Sequence, residues 1–485
     1  MSQTKEFYSK IDSARTLINS GRIEEGLEIL IQCEKSFPDN IHVIRLYGQA
    51  LYWNKSFDKT IDHFNNAIKK HPELSVLKLD YGRILFELNK LEEAEKYLLE
   101  YLETDHENVE SQLMLASIYY WLGKPPQRSF SYLYPLSEKY PDNNKIMDLV
   151  REIESNTSPY VRVLSGYYND TQPVRFFKTR IETGLYLSSL FQPSVSFESR
   201  FYQSSIQIQS ILFHNDFKFP AANIKFTVSG GMIKYSWSSQ LSFVGSVAKT
   251  WEFVKNINLS LGYERMPYLY TLRSLQRSII HSDYIASLNW GGNNNWNGSV
   301  TYCFQDFDDN NDVRTFSMWF LVPLVDYKMF QFDIGYAFHL ADSKEDRFIL
   351  DNQSEHNNNP SSIGNLPGIY DPYYTPRKQQ THTLLFKVNL NLSEKFNITL
   401  NNNIGFLSKI ENPDFLKLET NNPVPAGSKE VIKVFSTVNY YPFNLNWLFD
   451  WMISDRIRIK GEFSYLKTVY YESRSISAGV KLNFW

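Results

Sequence analysis

The chain has 485 residues, a formal net charge of −3 and a pI near 6.3. This charge balance excludes the broad basic surface of a nucleic-acid-binding protein. Aromatic residues make up 16% of the chain, which favours a membrane barrel with aromatic girdles, although a soluble β protein with an aromatic core is a second possibility. No stretch approaches the roughly 18 apolar residues of a membrane-spanning helix.

The N-terminus is polar and contains no apolar signal core. We expect a mature chain that carries an added methionine, its signal peptide having been removed. If Met1 is the native start, a cytoplasmic protein is the alternative. The two cysteines, Cys33 and Cys303, lie in different halves of the chain and are not expected to pair.

Small residues recur every 34 positions in the first third of the chain, at Gly48, Gly82 and Ala116. Pro38 and Pro72 recur at the same spacing and end helices, because proline cannot donate an interior helical hydrogen bond. Four helix pairs are predicted: Phe7–Ser20 with Ile23–Ser36, Ile41–Trp53 with Phe57–His71, Ser75–Leu88 with Leu91–Thr104, and Val109–Leu122 with Gln127–Lys139. Lys145–Ser155 is predicted to be a capping helix. This pattern resembles the tetratricopeptide repeat (TPR) family and predicts a helical repeat domain of about four repeats at residues 5–156.

The resemblance implies a concave groove, lined mostly by the first helix of each pair, that binds a partner. Five tyrosines on predicted first helices are candidate groove residues: Tyr47, Tyr52, Tyr81, Tyr119 and Tyr120. The alternative is that most of these tyrosines pack between repeats.

From residue 159 to residue 485, apolar and polar residues alternate with period two. The alternating runs are roughly 10 to 14 residues long, whereas bilayer-crossing strands need about 9 to 11 and soluble strands are usually shorter. We therefore predict a transmembrane antiparallel β-barrel at 159–485, with one lipid-facing and one lumen-facing side to each strand. Parity and aromatic character select candidate lumen residues: Glu182, Glu198, Arg200, Trp290, Trp296, Lys387, Arg456, Arg458 and Glu462. Salt bridges that merely stabilise the wall are the alternative role for the charged ones.

About sixteen strands are predicted, with fourteen as the alternative. They are expected to start near Val161, Val174, Ser194, Ser205, Asn223, Trp237, Glu252, Ser282, Trp296, Val313, Tyr327, Gln379, Phe396, Lys429, Asp455 and Ser473. An even number places both barrel termini on one side, which in outer-membrane barrels is the periplasmic side with short turns. Consistent with this, the long connections 264–281, 341–378 and 410–427 all fall on the other side, and the short ones at 292–295, 323–326 and 393–395 fall on the periplasmic side. The segment Asn444–Ser454 is interpreted as a longer periplasmic joint, and 341–378 as a lid or plug.

Three short motifs resemble outer-membrane exopolysaccharide exporters, a group that includes the poly-N-acetylglucosamine porin, the barrel of the cellulose-export subunit and smaller relatives. They are Arg265-Met266-Pro267, the loop Asp306-Phe307-Asp308-Asp309-Asn310, and Tyr373-Tyr374-Thr375-Pro376-Arg377. The second has Asp309 where that group usually has glycine. The resemblance adds candidate substrate-lining residues: Arg265, Asp306, Asp308, Asp309, Tyr373, Tyr374 and Arg377.

Neither catalysis nor a cofactor is expected. Asp306, Asp308 and Asn310 have the first spacing of a calcium loop, but Asn311 and Ser317 occupy the positions that need glycine and glutamate. No phosphate-binding loop, zinc-protease motif or nucleophile elbow is present in the sequence. We thus expect no metal site and no enzyme activity.

The sequence therefore predicts an outer-membrane pore that exports a polysaccharide, with a periplasmic TPR domain that recruits a protein partner or guides the chain. The expected partners are outer-membrane lipid, a polysaccharide and a periplasmic protein, without nucleic acid. The alternative functions are a TPR-barrel translocator of surface proteins or lipoproteins, and an outer-membrane scaffold that transports nothing.

Overall fold

The computed structural model describes residues 2–172, 174–292, 296–350, 365–366, 368–417 and 431–484. The chain divides into two compact units, Met1–Ile153 and Glu154–Trp485. Residues 351–364 and 367 of the predicted lid lie outside the described residues, as do 293–295 and 418–427 of two other predicted connections and the predicted strand start at Lys429. No helix in the described ranges is long and apolar enough to cross a membrane.

The first unit is an array of helix pairs. Within the described residues, nine helices precede the first strand: α1 (Ser2–Asn19), α2 (Ile23–Ser36), α3 (Ile41–Trp53), α4 (Phe57–Lys70), α5 (Ser75–Glu87), α6 (Leu91–Leu102), α7 (Val109–Trp121), α8 (Pro126–Lys139) and α9 (Asn144–Thr157). Asn40 and Asn108 begin α3 and α7 by accepting backbone N–H hydrogen bonds with their side chains. The predicted helix pairs and capping helix are confirmed.

The small residues at 34-residue spacing allow close contact within each pair. A Cβ atom at Gly48 would lie 2.4 Å from Cε2 of the Phe64 ring on α4. At Gly82 it would lie 2.9 Å from the Leu98 side chain on α6. Phe64 and Leu98 are fully buried, so both glycines are required by the packing rather than by backbone conformation.

The described part of the second unit consists mainly of strands, with one short α-helix and a 3-10 turn at Pro220–Ala222. In chain order the elements are β1 (Tyr160–Asp170), β2 (Arg175–Gly184), β3 (Gln192–Tyr202), β4 (Gln207–Phe219), β5 (Ile224–Tyr235), β6 (Leu241–Val254), β7 (Ile257–Pro267), α10 (Leu272–Arg277), β8 (Ile280–Trp290), β9 (Asn297–Phe307), β10 (Asp312–Tyr327), β11 (Phe330–Ser343), β12 (Phe348–Leu350), β13 (Asn365–Leu366), β14 (Gly368–Tyr370), β15 (Gln379–Ser393), β16 (Phe396–Lys417), β17 (Val431–Tyr440), β18 (Phe443–Ser454), β19 (Ile457–Lys467) and β20 (Glu472–Asn483).

The long strands form a closed antiparallel barrel of sixteen strands. Neighbouring strands in sequence pair with each other, and β1 closes the ring by pairing with β20, with Tyr160 opposite Asn483. β17 and β18 together act as one strand, because both pair with the long β16, at Ser408–Lys417 and at Phe396–Ile404 respectively. β12 and β14 form a separate small sheet. The prediction of about sixteen strands is confirmed, and fourteen is excluded.

Two predicted joints are wrong. Asn444–Ser454 is not a periplasmic joint but lies in β18, because the break at Tyr441-Pro442 interrupts one strand instead of ending it. Residues 323–326 lie inside β10, where the pairing shifts between Pro323 and Val325, and the chain turns at 328–329. Proline lacks the N–H group for the ladder, and here it marks an irregularity within a strand instead of its end.

The barrel has two different ends and two different faces. We call the end that carries both barrel termini and short turns such as 255–256, 394–395 and 455–456 the turn end, and the opposite one the loop end. On the outward face, large apolar side chains are exposed: Phe213 is 59% and Phe243 68% accessible. Cross-strand partners share a face, and the inward set contains most of the charged side chains. An apolar exterior around a polar interior is the pattern of a transmembrane barrel.

Candidate functional site: the lumen and its loop end

Charged side chains on the inward face near the turn end are held in ion pairs. The Glu182 carboxylate accepts a hydrogen bond of 2.6 Å from the Tyr160 hydroxyl, and the guanidinium groups of Arg162 and Arg180 lie 3.5 and 3.3 Å from it. Arg458 donates two hydrogen bonds of 2.6 Å to Asp450. These groups form a mixed-charge belt in which each carboxylate is paired with a cation.

Of the other predicted lumen residues, Glu462 and Lys387 lie on the inward face, whereas Arg456 does not lie in a strand. Glu462 accepts a hydrogen bond of 2.7 Å from Asn446. Lys387 lies in the ladder between Asp333 and Asn401, which share its face. Arg456 lies in the turn that joins β18 to β19, and its carbonyl accepts the backbone N–H of Asn483. The lumen wall on this side is thus a mixture of amides and charged groups.

Glu198 and Arg200 line a cavity of about 410 Å³ within the barrel. Arg200 Nε donates a hydrogen bond of 2.6 Å to Glu198, and its guanidinium lies 5.6 Å from the centre of the Phe176 ring. The opposite wall carries His281, whose Nδ1 lies 2.7 Å from Asp283. Residues 267–270 of the loop after β7 complete the lining.

That loop, residues 268–279, contains α10 and folds inward over the barrel wall. Leu275 is fully buried and Leu269 is 6% accessible, and both pack in one cluster with inward side chains of β2 to β6. Thr271 begins α10 with a capping box, and its hydroxyl also donates to the carbonyl of Pro372. Arg277 lies 3.0 Å from Asp371. The loop is therefore fastened to the segment 368–378, which comes from the other side of the mouth.

Segment 368–378 brings the three motifs of the exporter resemblance together. The Tyr373 ring is fully buried and stacks on Phe307, with centroids 3.6 Å apart and planes at 6°. Its hydroxyl donates a hydrogen bond of 2.6 Å to Asp309, and burial raises the pKa of Tyr373 above its ordinary value, so it remains a donor. Asp308 in turn lies 3.6 Å from Arg265.

The same segment also reaches the hairpin turn between β19 and β20. The rings of Tyr370 and Tyr374 lie 5.3 and 4.9 Å from the ring of Tyr470. Arg377 pairs with Glu411 on β16 and lies over the Phe435 ring. Since the turns at 308–311 and 468–471 are six strands apart around the ring, these contacts cross the mouth of the barrel. In this structure, packed side chains therefore span the loop end.

The structure corrects several predicted lumen positions. Trp290 shares the outward face with Leu288, and Arg265 shares that of Tyr263. Asp306 likewise belongs to the outward set of β9, with Tyr302. The remaining corrections concern three residues near strand ends: Trp296 is 63% accessible and stacks on outward Phe320, while Asp308 and Asp309 lie in the turn before β10. In the described ranges, no group of three His, Cys, Asp or Glu side chains could hold a metal ion.

The candidate groove tyrosines pack within the helical array. Tyr81 is fully buried and stacks on Phe64, and burial raises its pKa to about 12. Tyr119 is 7% accessible. The other three are partly buried in apolar clusters or against a neighbouring ring: Tyr47, Tyr52 and Tyr120. Tyr81 and Tyr119 are therefore core residues and not groove residues.

The sequence reasoning missed the inward fold of 268–279 and the core residues Tyr268, Leu269 and Leu275. The sequence does indicate that this connection is partly buried, because the run Tyr268-Leu269-Tyr270-Thr271-Leu272 is too apolar for a connection that lies wholly in water. The wall against which it packs cannot be deduced from that run.

Comparison with known proteins gives one family match and several similar solved structures. A tetratricopeptide repeat family model matches residues 51–118. Among solved structures, a bacterial polysaccharide outer membrane secretin is similar at 12% identity and a TM-score of 0.49, over 68% of this chain and 99% of that one.

Two further structures resemble one unit each. OccK3 of Pseudomonas aeruginosa is 7% identical with a TM-score of 0.36, over 68% of this chain and 96% of its own. A tetratricopeptide repeat protein from Parabacteroides merdae is 14% identical with a TM-score of 0.27, over 30% of this chain and 57% of that one. The curated proteins contain no significant sequence match. The chain is thus a TPR-like array of helices followed by a sixteen-stranded β-barrel, and none of these similarities carries a functional conclusion.

Proposed function

We propose that this protein is an outer-membrane pore through which a polysaccharide is exported, and that its TPR unit lies in the periplasm. The observation that carries the proposal is the lumen: a closed barrel whose inward face combines paired charges, amides and hydroxyls with tyrosine rings. Sugars offer both hydroxyl groups and apolar ring faces, and sites with a few polar groups among aromatic ones suit such ligands. The proposed transport is passive, with no catalysed reaction and no cofactor.

The orientation follows from the barrel's ends. Outer-membrane barrels have short periplasmic turns and long outer loops. The turn end carries both barrel termini, and the loop end carries 268–279 and the connection 344–378. We therefore place the turn end in the periplasm, where the TPR unit recruits a protein partner or guides the entering chain.

The charge pattern of the wall bears on the substrate. Arg458 and Lys460 share the carboxylate of Asp450, and Arg162 and Arg180 flank Glu182. Each of these clusters places two cations around one carboxylate and therefore keeps one positive charge, so the belt disfavours a polycationic glycan. The proposal accordingly concerns a neutral or acidic glycan rather than a strongly basic one.

The test is a deletion of the gene in the native host, complemented by the intact gene. Surface glycan, periplasmic glycan and surface-exposed lipoproteins are measured together. The expected result is loss of a surface polysaccharide, glycan retained in the periplasm, and restoration by the intact gene. Normal glycan with a protein missing from the surface would replace the proposal by a protein translocator, and no change in either would leave a scaffold.

A matched pair of alleles separates pore from assembly effects. Glu182→Ala together with Arg458→Ala removes two charges of the lumen belt, whereas Phe197→Ala alters the outward face of β3, where Phe197 is 42% accessible. We expect the belt variant to export less glycan than Phe197→Ala at equal amounts of heat-resistant folded barrel. Equal export by the two would remove the belt from the mechanism.

A further inference from the structure

Aromatic rings on β1, β2, β3 and β5 line the inward wall beneath the loop 268–279. Tyr168, Phe176 and Tyr202 are direct partners in the ladders of β1, β2 and β3. The first two rings stack with centroids 5.0 Å apart at 18°, and Phe176 lies 5.0 Å from Tyr202. Tyr235 continues the row on β5, on the far side of Ile208. We call Tyr168, Phe176, Tyr202 and Tyr235 the aromatic arc.

The arc is wide enough to accept more than one ring of a ligand. It extends over five neighbouring strands, and strands lie about 4.8 Å apart, so it covers about 19 Å of wall. Although the rings of Tyr168 and Phe176 stack on each other, the row as a whole offers an apolar surface against which flat apolar groups can pack without sequence-like specificity. The rings belong to the barrel wall itself, and so they remain in place whatever covers them.

The present cover is the loop 268–279. Leu269, Leu272 and Leu275 pack in the cluster that contains the arc, and Trp237 donates a hydrogen bond of 2.8 Å to the carbonyl of Leu275. The polar groups beneath this cover are poorly satisfied: among the described residues, the buried hydroxyls of Tyr202 and Tyr235 find no hydrogen-bond partner of normal geometry, and the nearby polar groups are Arg200 and Ser278. Buried hydroxyls without partners are costly, and a hydroxylated ligand would remove that cost.

The cover is held by its tertiary contacts and not by its own helix. α10 has six residues, which is too short for a helix to persist without tertiary contacts. Its polar attachments run to Asp371 and Pro372, in the other segment that closes the mouth. Displacement of the loop would therefore expose the arc and release part of the second segment at once.

We propose that the aromatic arc is a binding surface for the sugar rings of a passing glycan, and that residues 268–279 are a displaceable plug that occupies it in the closed pore. This inference rests on the proposed function, since it assigns the sugar-binding surface of the same conduit. The ligand class is a chain of uncharged or weakly charged pyranose rings, recognised through stacking and hydroxyl hydrogen bonds.

The first experiment tests the plug. The full-length protein is reconstituted in planar bilayers, and its conductance is compared with that of Leu275→Asp, which buries a carboxylate in the apolar cluster. A second variant replaces residues 271–277 by a glycine-serine linker and covers the case that Leu275→Asp fails to assemble. We expect a larger single-channel conductance from either folded variant. Wild-type conductance from the linker variant would overturn the plug.

The second experiment tests the arc in the opened background, with maltohexaose as the neutral probe. We expect the sugar to block the current, and we expect Phe176→Ala to weaken this block about tenfold, the equivalent of one aromatic stacking contact. The matched control is Phe177→Ala, since this neighbour lies on the outward face and is 47% accessible; its block should be unchanged. Absence of block, or equal weakening by both variants, would overturn the arc.

These outcomes are separable from those of the deletion experiment. If the deletion strain loses surface glycan while maltohexaose does not block the opened pore, the export function stands and the arc is wrong. If block depends on Phe176 but the deletion strain exports its glycan normally, the arc binds sugar and the proposed export function is wrong.

Discussion

Asp80 is a buried carboxylate in the TPR unit, and its replacement by alanine should destabilise the repeats. Its side chain is fully buried on α5. Arg45 of α3 donates two hydrogen bonds to it, and Arg83 donates one of 3.0 Å. Arg83 in turn donates two hydrogen bonds of 2.7 Å to Glu110 on α7. One carboxylate thus connects three successive first helices.

The magnitude follows from what Asp80→Ala leaves behind. Two guanidinium groups would face each other without their shared anion, and breaking a buried ion pair typically costs about 3–5 kcal/mol. Arg45 and Arg83 are each about one-third accessible, and Arg83 keeps its hydrogen bonds to Glu110, so the cost falls to or below the lower end of that range. We expect a loss of about 2–3 kcal/mol, or roughly 5–10 °C in the unfolding temperature of a unit of this size.

The assay is thermal unfolding of the full chain followed by circular dichroism at 222 nm, because the helices lie almost entirely in the TPR unit. The matched control is Glu107→Ala, which breaks the exposed ion pair between Lys139 and Glu107 and should cost less than about 0.5 kcal/mol. An Asp80→Ala loss as small as that of the control would refute the reasoning, since the network would then contribute nothing beyond a surface pair.

Three further predictions concern packing, membrane exposure and closure of the mouth. Gly48→Ala should lower the helical unfolding temperature, since the new Cβ would meet the buried ring of Phe64 at a cost of about 1–3 kcal/mol; unchanged unfolding would contradict the packing. Phe213→Lys places a cation on the outward face and should cost about 2–4 kcal/mol in refolding equilibria with lipid vesicles, and an unaffected equilibrium would mean that this face does not meet lipid. Tyr373→Ala removes a fully buried ring, which should destabilise the loop end by roughly 3–5 kcal/mol and raise the bilayer conductance. Tyr373→Phe keeps the stack on Phe307 and should change the conductance little. Wild-type conductance from the alanine variant would show that this contact does not close the mouth.

Much of the fold could be predicted because two periods dominate the sequence. The 34-residue spacing of Gly48 and Gly82 determines the helix pairs, and the alternation around Glu182 and Glu198 determines which side of each strand meets the lumen. The same rule would have placed Trp290 outside, since it has the parity of Leu288. Its aromatic character alone suggests a lumen position, but side chains alternate between the two faces of a strand, so the odd or even position of a residue is the stronger constraint.

The parts that could not be predicted depend on contacts between distant residues. Nothing local to Tyr81 shows that its ring stacks on Phe64, because a position on a first helix is compatible with either the groove or the core. Similarly, the stack of Phe307 on Tyr373 joins residues 66 positions apart, and neither motif alone indicates that the two meet. The same holds for the plug. The sequence shows that residues 268–279 include apolar side chains, but it does not show which part of the barrel wall they pack against.

The pairing of β1 with β20 has a consequence for how the protein is made. The first strand of the ring finds its partner only in the last residues of the chain, about 300 positions later. Until that partner is present, the sheet has two unpaired edges, which are prone to wrong association. A chain truncated within the barrel would therefore form an open sheet and not a smaller pore. Its unpaired edges would make it prone to aggregation. The barrel can therefore close only after the C-terminal strand β20 has been synthesised.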